Sequence, residues 1–190
     1  VFNASGIKMI IPVCPPGYNT IENAYSEFGG NYEVYHHSEF IKSLLDQNKI
    51  PLKKSVDMGN LVWHDSCYLG RYNDIYEQPR DIIQKATGKA PTEMEKHHKL
   101  SFCCGAGGGR MWMEEDEGER VNVRRTKMAV DVNADTVCTA CPFCRTMFLD
   151  GVKVLEKEES MNCVDISELV LAAMGEEPKA PTAAAEDKGE

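Results

Sequence analysis

Leu61-Val62-Trp63-His64-Asp65-Ser66-Cys67-Tyr68-Leu69-Gly70-Arg71 opens as a short apolar run and ends in a loop that carries a cysteine. The run reads as a buried strand, and a loop just beyond a buried strand is where α/β folds place chemistry. Thr136 to Ala140 is a second small β-prone run that also leads into cysteine, at Cys141-Pro142-Phe143-Cys144. Between them stands Phe102-Cys103-Cys104-Gly105-Ala106-Gly107-Gly108-Gly109. Thirty-five residues (68–102) separate Cys67 from Cys103, and thirty-five (106–140) separate Gly105 from Cys141. Such long, even gaps suit structural units whose loop ends meet at one point. A lone Cys-x-x-Cys also occurs in zinc knuckles and redox dithiols, so the signal is the whole set.

The local chemistry favours metal binding. Pro142 at the first helical position puts Cys141 at the N-cap and Cys144 at the third helical position, where the positive end of the helix dipole favours thiolate. Adjacent cysteines such as Cys103 and Cys104 point apart in regular structure, so both reach one centre only from an irregular loop or by binding different metal ions. The glycines that follow permit that loop and leave amide N–H groups free for sulfur. A phosphate loop is the rival reading, but the Gly-Lys-Ser/Thr ending it needs is replaced by Arg110-Met111. Five thiols exceed the four that a tetrahedral zinc or a cubane of four irons takes.

The pattern Cys-x35-Cys-Cys-Gly-x35-Cys-x2-Cys resembles the cysteine-rich "CCG" domain of heterodisulfide reductase and related iron–sulfur proteins. The wording around the cysteines is most similar to relatives that pass electrons from electron-transfer flavoprotein to menaquinone. The resemblance implies a non-cubane double iron–sulfur cluster, with a single [4Fe-4S] cluster as the simpler case, bound by Cys67, Cys103, Cys104, Cys141 and Cys144. It implies an α/β fold of tandem repeats with short, mainly parallel sheets flanked by helices. It also implies a module of a larger oxidoreductase complex whose other parts are a flavoprotein, a ferredoxin-like unit or a membrane quinone-reactive unit. No residue is assigned a catalytic step.

Internal similarity sets the expected domains. Residues 7–13 read as a buried strand ending at Cys14, followed by a helix over about 18–28, a strand from Tyr32 to Tyr35 and a helix capped by Ser38 that runs to about Gln47 with Phe40, Ile41, Leu44 and Leu45 on its apolar face. The order returns as Thr136 to Ala140, a helix to about Lys157, a strand from Cys163 to Ile166 and a helix, Glu168 to Met174, capped by Ser167. Residues 1–50 are therefore expected to be the back half of a degenerate first repeat, 51–60 a linker, 61–174 the intact repeat and 175–190 a disordered acidic tail. Cys14-Pro15-Pro16-Gly17 lacks the second thiol of the pair, so the first half should hold no complete cluster. A helix is expected over 79–87, a strand over Thr92 to Glu95, and a helix from Met111 to about Asp131 with a break at Gly118.

Arg71, Arg110 and Arg145 flank the motifs and could offset the charge of an anionic cluster, or be solvated. His64 could bond a ligand sulfur, relay a proton or be structural. Cys138, Cys163, His36-His37 and His97-His98 are read as structural. Net charge is −9 with no basic stripe, against a nucleic-acid partner. No apolar run reaches the ~20 residues of a membrane span and no secretory signal opens the chain. Starting at Val1 without Met, it looks like a processed or partial chain, soluble and suited to a reducing cytoplasm, at the membrane's cytoplasmic face where partners hold it there. Two other functions fit the cysteines: a site that cleaves disulfides, and a zinc-stabilised binding module.

Overall fold

The computed structural model describes residues 1–114 and 118–176. The expected disordered tail falls, from residue 177 onward, outside the described residues.

Three strands, β3 (Leu61–Trp63), β4 (Thr136–Thr139) and β5 (Asn162–Asp165), form a parallel sheet with β4 central. Val62 pairs with Val137 and Val137 with Cys163. Successive side chains leave a strand on opposite faces, and the two faces feed separate cores. Leu61, Trp63 and Cys138 join one cluster with Ile82, Ile83, Ile166 and Leu169. Val62, Val137 and Cys163 join the other with Met128, Ala129, Phe148 and Val152. Helices α4 (Glu77–Thr87), which follows the short α3 (Gly70–Asn73), and α7 (Ile166–Ala173) therefore cover one face, and α5 (Val121–Asp131) and α6 (Pro142–Val154) the other. This is an α/β fold with short parallel sheets. A sheet covered on both sides explains why all four residues of β4 are buried.

The first fifty residues make a smaller parallel pair, β1 (Met9–Ile10) and β2 (Glu33–Val34), with α1 (Pro15–Ala24) between them and α2 (His37–Asp46) after. Tyr18, Val34 and Leu45 from this segment are buried in the same cluster as Trp63 and Ile166. Residues 50–58 cross between the two parts with Lys53 N–H donating to Ala173 O and Val56 N–H to Ala86 O. Leu52, Val56 and Met58 pack on that cluster.

Several local expectations change. The run 7–13 is not a buried strand: only Met9–Ile10 pair, and Met9, Ile11 and Val13 are exposed, because among the described residues β1 packs mainly on β2. Helix caps lie two residues earlier than the serines. His36 and Asp165 are the N-caps, their side chains accepting from the amides of Ser38 and Ser167, while Glu39 and Glu168 reach back to close capping boxes. Thr92 to Glu95 contributes a single bridge, Thr92 to Val62. The helix expected from Met111 begins at Val121; a 3-10 stretch over Gly107–Trp112 precedes it, with Gly108 and Gly109 at positive φ, as consecutive glycines allow.

Candidate metal centre

Three loops converge at the carboxyl end of the β3–β4 sheet. The first follows β3. His64 N–H extends the ladder to Cys138 O, and Asp65 then turns inward, 4% exposed. Its carboxylate accepts two bonds from the Arg80 guanidinium at 2.8 Å, one from the Trp63 indole at 2.9 Å and one from the His98 amide at 2.6 Å. Burial pushes this carboxyl up, but the Arg80 pair and those donors outweigh it and hold it below the ordinary carboxylate range. The Asp65 carbonyl accepts from Ser101 Oγ at 2.9 Å, and Arg71 donates to Ser101 O at 2.7 Å. The Cys67 loop and the segment leading to Cys103 are thus tied together before either presents a thiol.

The second loop, 101–106, has no regular secondary structure, which is what lets adjacent cysteines diverge. Cys104 is buried and Cys103 exposed. Gly105 sits at φ +92°, and a Cβ there would come within 3.1 Å of the Asn122 amide at the start of α5. Its amide donates back to Cys103 Sγ at 3.3 Å. The third loop ends β4: Cys141, in extended conformation, is the N-cap of α6, Pro142 follows, and Cys144 lies in the first turn. Cys141 and Cys144 are each 2% exposed.

The thiols form a contiguous group. Cys144 Sγ lies 3.3 Å from Cys104 Sγ and 3.7 Å from Ser66 Oγ. Cys103 is hydrogen-bonded to Cys104, and Cys141 to Cys144. The charges of Cys104 and Cys141 reach Cys67, whose thiol is raised first by burial and then by those neighbours. Cys104 is the acceptor at the middle: bonds from Cys103 and Cys144, against burial, and a further one from His64 hold its thiol well below the ordinary range. Thiolate favoured at Cys104 and Cys141, beside the thiols of Cys67, Cys103 and Cys144, is a donor set suited to soft metal ions. A cavity of about 300 Å³ opens over it, lined by Cys67, Cys104, Cys141, Cys144 and the Gly107–Gly109 stretch. A Cβ at any of those three glycines would meet nothing within 4 Å, so the wall leaves room for a bulky group.

Other expected residues divide. Arg71 acts on Cys67 by charge. Arg145 instead turns to β5 and α7, bonding Cys163 O and Glu168. Arg110 is exposed. Cys138 and Cys163 sit in the two apolar cores. Cys14, half-buried, lies close enough to Cys141 for their charges to interact. Glu93, His97 and His98 bring ligand atoms within 4.8 Å of one another, but both Glu93 oxygens are already bonded to Arg80. His64 is buried, with a ring nitrogen within 4.8 Å of the Cys104 and Cys144 sulfurs. Arg125, fully buried behind it, was not singled out from the sequence. Its signal was a charge spaced three and four residues from the core-facing Asn122, Met128 and Ala129 of α5.

Fold and site define an α/β domain with a cluster of thiols around one pocket. The comparisons agree with this: residues 61–149 match the cysteine-rich domain family, CCG. It is 46% identical over 181 residues to an EtfAB:quinone oxidoreductase of Syntrophomonas wolfei, covering 91% of this chain and 25% of that protein. It is 42% identical over 173 residues to a probable iron-sulfur-binding oxidoreductase, FadF, of Bacillus subtilis, covering 89% of this chain and 24% of the relative. A component of the dihydromethanophenazine:CoB–CoM heterodisulfide reductase of Methanosarcina mazei is 36% identical over 177 residues, 92% of this chain and 42% of that relative. The chain thus spans about a quarter of the length of the Syntrophomonas and Bacillus proteins.

Proposed function

We propose that Cys67, Cys103, Cys104, Cys141 and Cys144 together hold an iron–sulfur centre, a non-cubane pair of fused [4Fe-4S]-type units, and that the chain is an electron-transfer module of an oxidoreductase. The observation that carries this is the contiguous group of thiols delivered by three distant loops, with Cys104 and Cys144 3.3 Å apart in a buried site. When bound, the centre supplies one-electron storage. The chain's own residues bind and tune it. A bond from the Cys144 thiol and the amides at the N-terminus of α6 favour thiolate at Cys141. The Asp65–Arg80 pair keeps the Cys67 loop in register with the Cys103 loop, and burial keeps water off Cys104 and Cys144. Names of relatives support a flavoprotein on one side and a quinone or a thiol/disulfide couple on the other. Among the described residues no helix is long and apolar enough to cross a membrane; a cytoplasmic place, held near the membrane by partner proteins, fits this reading.

A second reading, a single zinc ion, has one observation for it: His64, Cys104 and Cys144 offer ligand atoms within 4.8 Å of one another. The His64 nitrogen Nδ1 is taken by Arg125, however, and a buried cation beside a zinc site opposes the ion. Metal and acid-labile sulfide analysis of anaerobically purified protein separates the two. Iron with sulfide supports the cluster, whereas stoichiometric zinc without sulfide refutes it.

A further inference from the structure

Arg125 is fully buried in α5. Its Nη1 donates to Lys96 O at 2.8 Å and its Nε to His64 Nδ1 at 3.3 Å, while Nη2 has no hydrogen-bond partner. Among the described residues no carboxylate lies within ion-pair distance of it. The two carboxylates whose charge reaches it, Asp65 and Glu93, are both bonded to Arg80. Burial pulls the guanidinium down to about 10, so it stays charged at neutral pH. A buried cation without its own anion is strongly unfavourable. The remaining groups whose charge, when ionised, reaches it are Cys104 and Cys144.

His64 connects them. Because Nδ1 accepts from Arg125, the neutral ring carries its proton on Nε2, and that N–H is left for the Cys104 sulfur, a His64 ring nitrogen lying within 4.8 Å of it. Phe148, 5.0 Å away and edge-on, keeps the ring from turning.

We propose that Arg125 is the internal counter-cation of the cysteine centre and that it fixes His64 as an N–H donor to the Cys104 sulfur. Arg125 is then a positioning residue, and His64 the group that bonds the ligand. This rests on the iron–sulfur reading above. A fixed positive charge and a donor to a ligand sulfur both favour the reduced, more negative centre.

The test uses the full chain, anaerobically loaded, with midpoint potentials read by spectroscopically monitored titration. Arg125→Met is expected to lower the one-electron reduction constant about tenfold, ~59 mV more negative, while Arg125→Lys stays near wild type. The metal-free Arg125→Met protein should melt no lower than metal-free wild type, since an apolar side chain replaces an unpaired charge. A purely structural arginine would do the reverse, losing stability with an unchanged potential, and that result overturns the proposal. Where Arg125→Met does not fold, the His64 pair decides. His64→Gln, whose amide can accept from Arg125 and donate to Cys104, is expected to keep the potential, and His64→Leu to lower it. Equal potentials in both overturn the proposal. Wild-type protein that binds no iron and sulfide overturns the underlying reading instead, so the two failures are distinct.

Discussion

Residues 9–46 and 136–173 run through the same order of strand, helix, strand and helix, and each puts a cysteine at the N-cap of its first helix with proline next. Each also ends in a helix opened by a capping box, His36 with Glu39 and Asp165 with Glu168. The halves differ in what surrounds them. β4 lies between β3 and β5 with helices on both faces, and Cys141 and Cys144 are buried. β1 has one partner and exposed apolar residues, and Gly17 stands where Cys144 does. Equal local patterns thus give unequal sites, because enclosure by neighbouring elements turns a helix-capping cysteine into a metal-ligand candidate.

The largest difference should appear on removing one sulfur from each half. Cys144→Ser is expected to lose most of the bound iron and sulfide, and Cys14→Ser to keep them; metal analysis of the two purified variants checks this. Equal losses would make Cys14 a partner in binding and erase the contrast between the halves.

Stability comes next. Asp65 and Arg80 are a buried pair, and Arg80→Met leaves the buried Asp65 carboxylate without its cation, so this change should cost the metal-free protein about 3–5 kcal/mol in denaturant unfolding. The Lys42–Asp46 pair of the first half lies within α2 and its aspartate is exposed, so Asp46→Asn should leave the unfolding midpoint unchanged.

The smallest effect distinguishes the two caps by acid. Burial, with His37 beside it, pulls His36 down to about 3, so the folded state favours the neutral ring. Its contribution is present above ~6.5, the unfolded value, and is lost as the pH falls toward the folded value. The slope is at most ~1.4 kcal/mol per pH unit. Burial raises the Asp165 carboxyl, but His37 and Ser167 outweigh it and leave it below the ordinary range. Its contribution is present above ~3.9 and is lost only below that. In urea titrations across pH, His36→Gln should flatten the loss between ~6.5 and ~4, and Asp165→Asn should act only in stronger acid.

The sequence made the cysteine spacing, the repeated order of elements and the strands β3 to β5 legible, because those depend on neighbouring residues and short periods. The caps were misplaced because Ser38 and Ser167 are good cap formers, yet their amides are the donors and His36 and Asp165 the acceptors. The strand at β1 was read as buried from its β-branched residues, but burial depends on a covering layer that local pattern does not report. Arg125 and His64 are 61 residues apart, and Asp65 and Arg80 fifteen. Pairings of that kind arise only once the sheet brings β3 against the helices, so a charged residue at a core-facing helix position was the only trace they left.

X-ray absorption at the iron edge of the anaerobic protein tests the central claim most directly. Sulfur alone around iron, at ~2.3 Å as for other metal–thiolate bonds, with His64 absent from the coordination shell, is the expected result. A shell containing histidine nitrogen, or a zinc-edge signal with no iron, would contradict it.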